Sequence, residues 1–183
     1  MEKQTEKTSA AQELFFWAQA LTLVLAVLIL VNTFFFRLSG VRGTSMLRTL
    51  EENDQLILRV IGYDAPQRGD VIVCTSDAFG GEALVKRVIA VEGDTLDINR
   101  DGEVVLNGEV LYEPYIYDTI RSDRRGNQDY PLTVEKGHVF VMGDNRNGST
   151  DSRWVEVGQI SCDRVIGKVL FRIWPITKLG SVN

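Results

Sequence analysis

The chain has 183 residues, 44% of them hydrophobic and 25% charged, with a formal net charge of −5. That mix belongs to a folded globular protein; it excludes wholesale disorder and a collagen-like fibre, and its acidic balance offers no footprint for nucleic acid. With two cysteines, Cys74 and Cys162, and His138 as the only histidine, a histidine-based metal cage lacks ligands and a serine–histidine pair has a single candidate base.

In chain order, a short tail over residues 1–13 precedes an apolar run from Leu14 to Phe36, LFFWAQALTLVLAVLILVNTFFF, which holds no charge and is closed by Arg37. At about 1.5 Å per residue this run spans about 34 Å, enough for a hydrocarbon core of about 30 Å. Trp17 and the Phe34–Phe36 cluster stand near its ends, where aromatic rings favour the membrane interface. A cleaved signal peptide usually has an apolar stretch of only about 7–15 residues, and so long a charge-free run is rare in a soluble core helix. The segment therefore reads as one uncleaved transmembrane helix. Lys3 and Lys7 precede it and Arg37, Arg42 and Arg48 follow it, so flanking charge does not orient it.

Beyond the anchor, residues 37–183 are ample for one core. Period-two patterning predicts strands at Gln55–Val60, Asp70–Cys74, Ala83–Val91, Thr95–Ile98, Glu103–Leu106, His138–Met142 and Val165–Trp174. Turn signals separate them, among them Arg68-Gly69-Asp70, Glu92-Gly93-Asp94, Asn107-Gly108 and Gly143-Asp144-Asn145. The expected fold is mainly β, an antiparallel sandwich or barrel-like sheet. The polar, aperiodic stretch Tyr117–Tyr130 reads as a mobile loop whose Arg121, Arg124 and Arg125 face solvent or lipid headgroups.

Three places carry chemistry. Gly43-Thr44-Ser45-Met46 puts a serine on a glycine-flanked turn just after the anchor, close to the bilayer because Ser45 stands nine positions after Phe36 and such a stretch reaches at most about 30 Å. A serine nucleophile needs a base. His138 reads as a strand-edge residue, so Lys86 is the better candidate. Alternation sends Lys86 to one face with Leu84, Val88 and Ala90, and Arg87 to the other. Apolar neighbours would desolvate the amine and lower its pKa, letting it act as a base; the same pattern also suits a lysine that snorkels to water, and both readings stay open. The third place is Gly143 through Arg153, read either as a solvated turn or as a braced loop whose charges pair with one another and with Arg87. Metal binding through Asp144 and Asp151 is disfavoured, because hard cations take more oxygen ligands.

These segments together resemble the type I signal peptidases, or leader peptidases. Ser45-Met46-Leu47-Arg48-Thr49-Leu50 is similar to their S-M-x-P-T-L nucleophile box, Arg68 to Val73 to the next strand, and Lys86-Arg87-Val88-Ile89 with Gly93-Asp94 to the lysine box. Gly143 to Arg146 with Ser149 and Asp151-Ser152-Arg153 resembles the G-D-N-R…S-x-D-S-R box, and Ile166-Gly167-Lys168 to Trp174-Pro175 the closing strand. The resemblance implies a membrane-bound serine endopeptidase with Ser45 as nucleophile and Lys86 as general base. It implies that the Ser149 hydroxyl orients the lysine, that Asp144 pairs with Arg87 and Asp151 with Arg153, and that the Ser45 N–H is an oxyanion donor. Gly43 stands where some relatives carry a second, hydroxyl donor. It implies no metal or other cofactor. Its substrates would be secretory preproteins cut after small residues at Ala-x-Ala type sites. The β domain would dock on the lipid surface outside the plasma membrane, with the N-terminus cytoplasmic. Arg48 replaces the usual proline, Ala90 and Glu92 a glycine and a proline, and Asn147-Gly148 an acidic residue and an asparagine. A catalytically dead peptide-binding module and a Ser/Lys peptidase with one dedicated substrate are the alternatives.

Overall fold

The computed structural model describes residues 10–182. Lys3 and Lys7 lie outside the described residues, as does the Phe34 side chain. Helix α1 covers Ala10–Phe35, beginning four residues before the expected anchor and ceding Phe36 to the first strand. Its stretch Ala10–Leu30 is long and apolar enough to cross a membrane and none of it is buried against the rest of the chain, unlike a core helix.

Among the described residues twelve strands follow. β1 (Phe36–Gly40), β2 (Gln55–Arg59), β3 (Val71–Thr75), β4 (Ala83–Val91), β9 (His138–Met142), β10 (Ile160–Ser161), β11 (Val165–Trp174) and β12 (Gly180–Ser181) build one sheet in the order β1-β2-β11-β3-β4-β9-β10, with β12 on β11. A smaller sheet runs β7-β6-β5-β8, from β5 (Thr95–Ile98), β6 (Val104–Leu106), β7 (Glu109–Val110) and β8 (Leu132–Thr133). Every pairing is antiparallel, so the mainly β, antiparallel fold with one N-terminal apolar helix stands.

The large sheet is covered on both faces, which the unbroken apolar run of β3 anticipates. Val71 and Val73 pack with Met46, Leu50, Leu56 and Leu58, whereas Ile72 and Cys74 pack with Val88, Val139, Val141 and Ile160. A third core joins the small sheet to Phe140 and Met142. Ala90 sits in this third core beside Ile89, not on the Lys86 face, because a register shift between Val88 and Ala90 turns β4 over. Both cysteines are free.

The stretch expected to be a mobile loop is tied down instead. Its Arg124 Nε donates to Asn147 O at 2.8 Å, and Arg153 Nη1 donates to Arg124 O at 2.8 Å. Gly126 lies so close to the Arg153 backbone that a β-carbon would collide with it. Long-range partners, invisible to local polarity, make the difference.

Candidate active site

Ser45 rides on a turn held from below by its neighbours. Met46 and Leu50 are fully buried, and Leu50 N–H donates back to Met46 O at 2.8 Å. The turn is entered through Gly43 at φ 80°, a backbone state that glycine adopts without a steric penalty. Two bonds from Asn145 pin it sideways: its N–H donates to Ser45 O and its Nδ2 to Thr44 O, each at 3.0 Å. Among the described residues the Ser45 N–H makes no hydrogen bond.

Lys86 comes from β4, paired with Ile72. It is 4% exposed, and its Nζ donates to Ser45 Oγ at 2.8 Å. The side chain is thus buried and does not snorkel. Desolvation lowers its pKa from the usual lysine range, aided by the Arg153 charge and opposed by Asp151 and Asp144.

Two buried ion pairs frame this contact. Arg87 gives Nε and Nη2 to the two oxygens of Asp144, each at 2.8 Å, and Nη1 to Gly69 O. Thr49 Oγ1 donates to the same carboxylate at 2.5 Å. Asp144 therefore links the Ser45 turn to the strand that carries Lys86. Arg153 reaches Asp151 through Nε at 2.8 Å and Nη2 at 2.9 Å, and the Gly143 N–H also donates to Asp151. Burial alone would raise the Asp151 carboxyl, yet Arg153 holds it below the usual carboxylate range.

Ser149 differs from expectation. Its buried Oγ lies near enough to Asp151 to favour the ionised carboxylate, yet it makes no hydrogen bond of acceptable geometry. Lys86 turns to Ser45 instead. His138 opens β9 with Nδ1 against Lys136 O at 2.9 Å and has no part in this cluster. No group of three or more His, Cys, Asp or Glu able to hold a metal occurs among the described residues.

Beside the pair opens a groove of about 760 Å³. Residues 38–42 with Asn53 and Gln55 line one side and residues 82–86 the other. β1 ends the sheet, and residues 83–86 of β4 pair only with β3, so both walls present an unpaired strand edge.

The model of the signal peptidase family, peptidase S26, matches residues 14–174. The chain belongs to that family. It is accordingly a serine-type peptidase, a hydrolase. It is 36% identical over 165 residues to signal peptidase I of Leptolyngbya laminosa, covering 84% of this chain and 76% of the relative. Against signal peptidase I of Bacillus licheniformis it is 32% identical over 189 residues, covering 100% and 98%. A crystal structure of a signal peptidase I from Enterococcus faecalis aligns with TM-score 0.44 at 31% identity, over 57% of this chain and 96% of that one.

Thr49 and Asn145 stand in the nucleophile and last boxes, but the sequence assigned them no role. Their partners lie 95 and 101 positions away. The signal available was the polar character of both residues inside motifs already singled out.

Proposed function

We propose that this signal peptidase removes N-terminal signal peptides from exported preproteins with Ser45 as nucleophile and Lys86 as general base. The observation that carries this is the 2.8 Å contact from Lys86 Nζ to Ser45 Oγ at a lysine only 4% exposed. A buried amine held neutral takes the hydroxyl proton as Ser45 attacks the scissile carbonyl. The free Ser45 N–H supports a role as oxyanion donor. The protonated lysine then protonates the leaving amine, and the regained neutral amine draws a proton from the water that hydrolyses the acyl-enzyme. The two unpaired strand edges suit an extended peptide added as a strand, and the family resemblance points to small residues before the cut at an Ala-x-Ala type site.

The exposed apolar face supports membrane docking of residues 37–183 as the peptidase domain. Leu38, Ile57 and Phe171 are cross-strand neighbours in one row. Leu38 and Phe171 are exposed, as are Trp174, Ile176 and Leu179 further along. β1 continues directly from α1, so this face starts where the anchor ends. In the proposed arrangement the N-terminus is cytoplasmic and the domain lies outside; protease added to intact cells should digest the domain.

The decisive experiment is cleavage of a preprotein bearing an Ala-x-Ala site by the detergent-solubilised chain beside its Lys86→Ala variant. Cleavage at that site, lost in the variant, is the expected result. Cleavage that survives in Lys86→Ala would remove the lysine from the mechanism.

A further inference from the structure

Among the described residues no hydrogen bond or ion pair joins Ser45 or Lys86 to the five residues Glu113-Pro114-Tyr115-Ile116-Tyr117, yet those residues grip all three segments that build the site. Glu113 receives the buried Arg146 guanidinium, through Nη1 at 2.8 Å and Nη2 at 2.5 Å, and the Tyr115 hydroxyl at 2.8 Å. Arg146 belongs to the loop that carries Asp144 and Asp151. Tyr115 lies with its ring centre 4.0 Å from the Arg87 Cζ, against the residue next to Lys86. Arg48, three residues after Ser45, donates from Nη1 to Ile116 O and sets its guanidinium 5.6 Å from the Tyr117 ring centre.

Arg48 is also strained. It takes φ 84°, a region that L side chains seldom enter and that proline, fixed near −65°, cannot. Restoring the proline usual in such turns would therefore not fit this backbone. A side chain kept at a left-handed position holds something there. On the core side the turn is secured by Met46, Leu50 and the Thr49–Asp144 bond; toward solvent Asn145 and Arg172 bond its backbone at Thr44 O and Thr49 O, and Arg48 is the side chain that ties it to residues 113–117.

We propose that residues 113–117 form a strap that sets the spacing of Ser45 and Lys86, and that Arg48 is the positioning residue by which the strap holds the Ser45 turn. The inference rests on the Ser45/Lys86 reading. It assigns the departure at position 48 a use: a rigid ring in the chain is replaced by a side-chain tether across the surface. A charge-assisted hydrogen bond and an exposed cation–π contact together are large enough to matter to a nucleophile whose rate depends on placement.

The test uses the full chain in detergent, a peptide with an Ala-x-Ala site, and the variants Arg48→Ala, Arg48→Gly and Arg48→Lys. Arg48→Ala and Arg48→Gly should each lower kcat about fivefold with KM changed by less than about twofold, and Arg48→Lys, which keeps a cation and a donor, should recover most of the loss. Amide hydrogen exchange over residues 43–50 should quicken in the Ala and Gly variants. An Arg48→Gly variant as fast as the parent would overturn the proposal, since glycine satisfies the backbone and lacks only the tether. So would a rise in KM at unchanged kcat, which would make Arg48 a substrate contact. If the parent chain itself cuts no peptide, the Ser45/Lys86 reading fails; the exchange experiment still decides the strap, and unchanged exchange overturns it.

Discussion

Asp144→Ala tests how Ser45 and Lys86 are held together. Asp144 is 0% exposed and accepts two bonds from Arg87 and one from Thr49. Removing it takes from the guanidinium of Arg87, itself 1% exposed, the carboxylate that both Nε and Nη2 reach. Breaking one partner of a buried pair costs about 3–5 kcal/mol. Arg87 keeps Gly69 O and the Tyr115 ring, which places the loss near the lower end, about 3 kcal/mol. For a chain of this length that lowers Tm by about 6–12 °C. Asp144→Asn retains an acceptor and should lose roughly half as much. The assay is denaturant unfolding of the full chain in detergent, followed by a pH–rate profile of the surviving Asn variant. The Asp144 charge opposes the lowering of the Lys86 pKa, so its removal should move the acid limb to lower pH. A stability loss below about 1 kcal/mol for Asp144→Ala, or an acid limb displaced to higher pH, would refute the linkage.

Ser45→Ala and Lys86→Ala should each abolish peptide cleavage while leaving the circular dichroism of the parent; full activity of either would sink the dyad. In the parent, kcat/KM should climb with pH through a value below the usual lysine range, because burial disfavours the ammonium form. Stability should follow the same sign: between the lowered folded value and the ordinary unfolded one the folded chain binds fewer protons, so stability rises with pH across that window. Lys86→Met should flatten that slope, as measured by denaturant midpoints at several pH values. Gly143→Ala should cost activity and about 1–3 kcal/mol, since its β-carbon would strike Ser45 O and Ser149 Oγ; a crystal structure with Lys86 and Ser45 still in contact, in an active variant, would contradict this.

Legibility from sequence tracked the length of the signal. β4, β5, β9 and β11 begin and end where alternation and turn residues put them, because each has punctuated ends and three have at least five residues of pattern. β7, β8, β10 and β12 have two residues each, too few for any period, and β1 is masked by the apolar run that precedes it. At the site the boxes themselves were readable. What bound them was not: Glu113 meets Arg146 across 33 positions, and Arg48 meets Ile116 across 68. Such contacts are set by the tertiary path of the chain, and a single sequence carries no local trace of them.

The buried charges make sense as a group around Lys86. A lone carboxylate beside an amine would hold it as an ammonium and deny it the role of base proposed above. Here Asp151 and Asp144 both act in that direction, and each is saturated by its own arginine. Arg153 also acts on Lys86 directly, in the opposite sense. Cys74 adds no charge, because burial pushes its thiol up to about 11. With the carboxylates compensated, desolvation is left as the largest influence on the amine, and it favours the neutral form. Buried ion pairs are weak sources of stability, so the two Arg–Asp braces are better understood as a device for placing polar, rigid walls around Lys86 without fixing a proton on it. The strap from Glu113 to Tyr117 belongs to the same logic. It grips Arg87 and Arg146 by ring and carboxylate from outside, holding the walls in register while leaving the 2.8 Å contact between Lys86 and Ser45 untouched.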